Sequence, residues 1–201
     1  MKTKNSKLYN LVLTAILMGV VILLQLFASA IPIGTTNISL VLIPIVMGAM
    51  LCGPKSGAIL GFTFGAVVLI GGISGTDPFT NLLINHHPVI TTLLCLGKGT
   101  AAGWGAGVLY SLISKKSSVA ATFAASAVAP IINTGLFILG GLFMSGTITD
   151  NFVADGQSLM YFLIIVCAGL NFIVELTVNT VFAPALAYVA RLFEKSSAQV
   201  R

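Results

Sequence analysis

The chain has 201 residues, of which 57% are hydrophobic and 7% charged, and its 10 Lys plus Arg against 5 Asp plus Glu give a net charge of +5. Soluble domains carry roughly 25% charged residues, so this chain lacks the polar side chains to cover a water-facing surface. Nucleic-acid binders gather Lys and Arg on one polar face; here they are scattered between apolar blocks, and the mean hydropathy of +1.04 indicates a polytopic membrane protein.

A membrane-crossing helix needs about 20 mostly apolar residues. Six spans are predicted, at about residues 9–31, 39–52, 57–73, 89–113, 119–144 and 159–192, which makes the chain an all-α integral membrane protein forming a single membrane domain. The first carries one polar residue, Gln25, and ends at Pro32. The second is short and stops at Gly53-Pro54-Lys55-Ser56, and the third runs into Gly75-Thr76-Asp77-Pro78. Ser114-Lys115-Lys116-Ser117-Ser118 closes the fourth. A polar loop with Thr147, Asp150, Asn151, Asp155 and Gln157 follows the fifth. The sixth is long, with a bend expected at Pro184. The Lys-rich residues 1–7, the apolar run after them and Ala28-Ser29-Ala30 also have the form of a secretory signal. That run is longer than a signal core, and removing it would leave five spans, so it is read as a span.

Six spans place both termini on one side, with the loops at 53–56 and 114–118. That side collects Lys2, Lys4, Lys7, Lys55, Lys115, Lys116, Arg191, Lys195 and Arg201, whereas the opposite loops hold Asp77, Asp150 and Asp155 and no Lys or Arg. The asymmetry predicts cytoplasmic termini.

Charges within spans are rare and usually functional. Lys98 in the fourth span and Glu175 in the sixth are the two candidates, at depths that permit either a mutual ion pair or a shared polar cavity. Asn171, Glu175 and Asn179 share one face of the last helix at four-residue spacing. Asn133 and Thr134 follow Pro130 in the fifth, and Thr91, Cys95 and Lys98 share a face of the fourth. Gly57, Gly61 and Gly65 on the third span and Gly99, Gly103 and Gly107 on the fourth form small-residue stripes suited to helix packing, and Ala15 and Gly19 form a shorter one on the first. Cys52, Cys95 and Cys167 are isolated in apolar runs and, like the loop pair His86-His87, offer no metal site. Gly72-Ile73-Ser74-Gly75 has the letters of an intramembrane serine protease motif, but its only histidines follow closely in the same loop. Gly48 to Ser56 has one residue too many for a phosphate-binding loop and no Gly directly before Lys55, so ATP hydrolysis is not expected of this chain.

The ordered set is more informative than any one motif. It comprises Ala15/Gly19, Ile31-Pro32-Ile33-Gly34, Ile43-Pro44, Gly53-Pro54-Lys55-Ser56-Gly57, Gly61 to Gly65, Ala106-Gly107-Val108-Leu109-Tyr110 and Asn133-Thr134. In this order the features resemble the substrate-binding S component of energy-coupling factor (ECF) vitamin transporters, closest to the pantothenate-type and unassigned branch. The resemblance implies a non-enzymatic cell-membrane subunit that binds a vitamin or precursor and works with a transmembrane T component and two cytoplasmic ATPases. It implies no cofactor and no nucleic-acid partner. It assigns Asn85, Lys98, Asn133, Asn171 and Glu175 to substrate and Ala15 and Gly19 to the T component. A cation at Lys98 suits a carboxylate-bearing vitamin such as pantothenate ahead of riboflavin, pyridoxine-type or lipoate-type ligands. The alternative class is a self-sufficient carrier or channel coupled through Lys98 and Glu175.

Overall fold

Backbone N–H and C=O groups in an apolar medium must bond within their own segment, which makes the helix the economical course for this chain. The computed structural model describes residues 4–29, 32–33, 36–37 and 40–199. Lys2, Ile31, Arg201 and the expected start of the second span at 39 lie outside the described residues. The helices are α1 (Lys4–Ser29), α2 (Leu42–Cys52), α3 (Pro54–Ser74), α4 (Pro78–His86), α5 (Pro88–Ile113), α6 (Ser118–Phe143), α7 (Ser145–Phe152), α8 (Leu159–Tyr161), a π-helical segment at Phe162–Cys167, and α9 (Gly169–Gln199). Between α1 and α2, β1 (Pro32–Ile33) pairs antiparallel with β2 (Thr36–Asn37), Pro32 opposite Asn37.

Four described stretches are long and apolar enough to cross a membrane: Lys7–Ala28, Pro54–Ser74, Ser118–Phe143 and Leu159–Leu192. They correspond to the first, third, fifth and sixth predicted spans. The second prediction corresponds to α2, with 11 residues; at 1.5 Å per residue it is about 16 Å long, half of a typical hydrocarbon core. The fourth corresponds to α5, which matches α6 at 26 residues but carries Lys98 among Gly, Ala and Thr. Two predicted loops contain helices. Asp77 caps α4, accepting from Thr80 N at 3.2 Å and from Thr80 Oγ1 at 2.6 Å, and Pro78 occupies the first turn, where no N–H is needed. α7 forms in the polar loop after α6. α9 continues through Pro184, and the π-helical segment that precedes it makes the last span irregular near its start.

With apolar lipid on one side and apolar side chains on the other, close packing rather than water exclusion holds such helices together. The two predicted glycine stripes meet each other. A Cβ on Gly61 would strike the carbonyl oxygen of Gly99, and one on Gly99 would strike that of Gly61. Gly57 and Gly103 are related in the same reciprocal way, Gly65 faces Cys95, and Gly107 faces Pro54. Each step of four up α3 is matched by a step of four down α5, so the pair is antiparallel and its register is fixed by backbone contact. α2 fills the space beside them, burying Leu42, Ile45, Val46, Ala49 and Met50 against α1, α3, α5, α6 and α9. Gly53, at φ 95°, makes the left-handed turn from α2 into α3 that a side chain would strain.

The outward faces are apolar, with Phe143 78%, Val89 69% and Val181 68% exposed, as a lipid-facing surface requires. Lys7, Lys55, Lys115, Lys116 and Arg191 are exposed at one end of the bundle, and Asp77, Asp150 and Asp155 belong to the opposite end.

Replacement of Gly61 by Ala is expected to lower the melting temperature of the detergent-purified protein, by an overpacking penalty of about 1–3 kcal/mol. Gly97, on the same helix as Gly99, has no atom within 4 Å of an added Cβ. Gly97→Ala should therefore leave the melting temperature within about 0.5 kcal/mol of wild type.

Candidate ligand-binding cavity

At the acidic end the helices diverge around a cavity of about 90 Å³. On this measure one water needs about 10–15 Å³, so the space suits a small molecule. Its walls come from six helices, and they hold polar groups that an apolar bundle would otherwise exclude.

The α3–α5 zipper sets the first wall. Phe64 lies between Gly61 and Gly65 and Lys98 beside Gly99, so the backbone contact that aligns the glycines also brings these two side chains together. Lys98 Nζ is 5.8 Å from the Phe64 ring centroid and 5.3 Å from that of Phe137 on α6. Two aromatic faces thus hold the half-buried ammonium, a contact worth about 0.5–2 kcal/mol in a desolvated setting. Among the described residues it makes no direct ion pair with Glu175, so the cavity, not a closed Lys–Glu pair, is the arrangement adopted.

Glu175 of α9 lines the cavity together with Asn133 of α6. It is 1% exposed, and Asn171 Nδ2 donates to its Oε1 at 3.3 Å. Asn179, one turn on and equally buried, donates from Nδ2 to the Glu175 backbone oxygen at 2.8 Å. Among the described residues, Glu175 Oε2 and Asn133 Oδ1 have no hydrogen-bond partner. Orphaned buried oxygens of this kind cost about 1–3 kcal/mol each. Cys167 and Ala168 line the cavity just where the π-helical segment ends, and Ala168 N donates to Leu163 O at 3.0 Å, five residues back. The extra residue in that turn sets the register with which α9 begins, and hence the face on which Asn171 and Glu175 stand.

α4 roofs the space with Asp77, Phe79 and Thr80. Phe79 is 6.0 Å from Phe137 and 5.0 Å from Phe152 of α7, and Phe152 stacks on Phe162 at 6.1 Å, so an aromatic row closes this end. His87 Nε2 and Thr147 Oγ1, 2.9 Å apart, tie the start of α5 to α7.

Lys98, Asn133, Asn171 and Glu175 all line the cavity, together with Thr134. Asn85 does not: it is exposed on α4, donating to Asn81 Oδ1 at 3.3 Å, because its position on the helix turns it away from the bundle. Thr91 and Cys95 do not line it: Thr91 Oγ1 lies 3.5 Å from Met144 Sδ, and the Cys95 backbone packs against Gly65. Sequence reasoning left out Gln25, Phe64, Asp77, Phe79, Thr80 and Phe137, which line the cavity as well. Gln25 carried a signal, as the lone polar residue of its span. So did Asp77-Pro78, whose N-cap grammar announces α4. The phenylalanines carried none, since a membrane protein spends aromatics freely on core and lipid.

Ser74 lies outside the cavity, its Oγ within 3.1 Å of both Gly71 O and Thr76 Oγ1. His86 Nδ1 meets Leu82 O at 2.9 Å and His87 meets Thr147, so neither ring is bonded to Ser74. What the cavity can do with its residues is hold a polar molecule.

Among curated proteins, none matches the chain. Residues 9–187, almost all of the helical bundle, match the family described as ECF transporter, substrate-specific component. The chain is thus a multi-pass membrane protein that belongs to the substrate-specific components of ECF transporters.

Proposed function

We propose that this chain is the binding subunit of an ATP-driven uptake transporter for a water-soluble vitamin or vitamin precursor, with a pantothenate-like acid ahead of riboflavin, pyridoxine-type or lipoate-type compounds. The observation that carries the reading is the cavity with Lys98 on its wall, its ammonium held over two aromatic rings and in no direct ion pair among the described residues. A cation so placed in a low-dielectric interior attracts a carboxylate far more strongly than it would in water. Asn133, Asn171 and Glu175 supply the remaining polar contacts, and Asn85, exposed on α4, contributes least.

The bundle crosses the membrane six times, α2 serving as a short second crossing, with the Lys-rich end and both termini in the cytoplasm. Transport energy comes from a transmembrane T component and two cytoplasmic ATPases. Ala15 and Gly19 make the T-component contact. They are exposed on α1, in line with Leu8, Leu11, Val12, Ile16 and Leu23, and nothing lies within 4 Å of a Cβ at Gly19. A helix face that is smooth, apolar and unused inside the bundle suits close approach of a second protein's helix.

Co-expression with a T component and two ATPases is expected to yield one complex on affinity purification, and uptake that requires all four chains. Uptake in liposomes containing this chain alone would instead indicate a self-sufficient carrier. Ala15→Leu and Gly19→Leu should abolish co-purification while the isolated variants keep wild-type ligand affinity; lost affinity would show that this face packs internally. Lys98→Ala is expected to weaken binding of pantothenate by about tenfold or more, the worth of a charged hydrogen bond, and to change binding of the neutral pantothenyl alcohol by less than about threefold. Isothermal titration on the purified protein reads both, and equal losses would give Lys98 a structural role.

A further inference from the structure

The hydrogen-bond accounting inside the cavity restricts the ligand beyond its acidity. Two carboxylates line the space, and one is spoken for. Asp77 accepts from Thr80 N through Oδ1 and from Thr80 Oγ1 through Oδ2, so both its oxygens serve the start of α4. Glu175 differs. Its carboxylate accepts from Asn171 through Oε1 and lies against the Asn133 amide, yet among the described residues Oε2 has no hydrogen-bond partner although the side chain is only 1% exposed. Asn133, 4% exposed and lining the same cavity, leaves Oδ1 without a partner too. Both orphans are oxygens that accept hydrogen bonds, and they are contributed by facing helices, α6 and α9. Lys98, the cavity's one lining ammonium, is held at the Phe64 and Phe137 rings.

We infer that the cavity takes a two-ended molecule: a carboxylate at Lys98 and, at its other end, a hydrogen-bond donor, hydroxyl or ammonium, received by Glu175 Oε2 and Asn133 Oδ1. The inference rests on the reading of this cavity as the substrate site. A plain fatty acid satisfies Lys98 but leaves two buried acceptors facing hydrocarbon, which penalises it against a partner that donates. An amine without the acid satisfies the acceptors and leaves Lys98 facing a second cation. Discrimination of this sort, in which a site built to receive a donor rejects the analogue lacking it, is the strongest that a small pocket offers.

The test uses the full-length protein, purified in detergent and freed of small molecules by unfolding-free dialysis, with defined probes: butanoate, pentanoate and hexanoate, the terminal hydroxyl and terminal amino derivative of each, and the corresponding alkylamines. In titration calorimetry, at least one hydroxy or amino acid should bind about tenfold or more tightly than the plain acid of the same length, and more tightly than the alkylamine. Glu175→Gln should shrink that preference to about threefold or less while the plain acids keep their affinity, and Asn133→Val should do so in part. The comparison among probes on the wild-type protein stands even if a variant fails to fold. Plain acids binding as tightly as their hydroxy and amino derivatives would overturn the inference. So would a preference untouched in folded Glu175→Gln, or no binding by any of the acids. Failure of the transporter reading is separately visible: the chain would then not co-purify with a T component and ATPases, whatever its preference among the probes.

Discussion

Four glycines set the geometry on which the cavity depends. Where Gly57 and Gly61 of α3 meet Gly103 and Gly99 of α5, each glycine approaches the other's carbonyl oxygen, and a methyl group at any of them would occupy the same space. Helix backbones this close gain dispersion along their whole length, which matters in a medium where burying apolar surface is not itself a driving force. The contact also removes the freedom to slide, since a shift of one residue would drive side chains into backbone. Phe64 and Lys98 inherit their positions from this register. The ammonium sits over the ring because neighbouring glycines, one turn away or less, have already fixed how the two helices align.

The polar interior is costly against this apolar frame. An ammonium, a carboxylate and several amides are held in the acidic half of a bundle whose outside is lipid-facing. Unpaired, each would be expensive. The structure lowers that cost for Lys98 with two aromatic faces, for Asp77 with the α4 cap, and for one oxygen of Glu175 with Asn171. It leaves Glu175 Oε2 and Asn133 Oδ1 without hydrogen-bond partners among the described residues. A stable core would replace such groups with hydrocarbon. Their retention at a cavity wall is what a binding protein requires, because a group satisfied in advance has little left to offer a ligand. The irregular elements cluster at the same place: the π-helical segment enters α9 beside the cavity, and α4 and α7 cover it with aromatic rings.

Much of the scaffold is legible from residue patterns. Long apolar blocks and their polar punctuation mark the stretches in which α1, α3, α5, α6 and α9 form, because helices in lipid have no competitor, although α9 both begins and ends well past the bounds of the 159–192 block. The glycine stripes announced packing without naming a partner. The short helices α4 and α7 have the composition of a loop; only the Asp77-Pro78 cap marks α4, and a local hydrogen bond outweighs composition there. For the site, the polar residues of spans stood out against their surroundings, so Lys98, Asn133, Asn171 and Glu175 were identifiable and do line one cavity. Asn85 was drawn in by the loop it occupies, yet its side of α4 is exposed. Phe64, Phe79 and Phe137 had no contrast by which to be noticed.

The sequence by itself determined that the chain is helical and membrane-embedded, which residues are polar within apolar spans, and how its charges divide along the chain, because those depend on composition and local period alone. Whether Lys98 and Glu175 close on each other was decided only by the tertiary structure. So was the pairing of one glycine stripe with the other, and the gathering of three phenylalanines from α3, α4 and α6 around one space. Those outcomes depend on which helices become neighbours and in what register, and that is settled by backbone contacts between residues far apart in the chain.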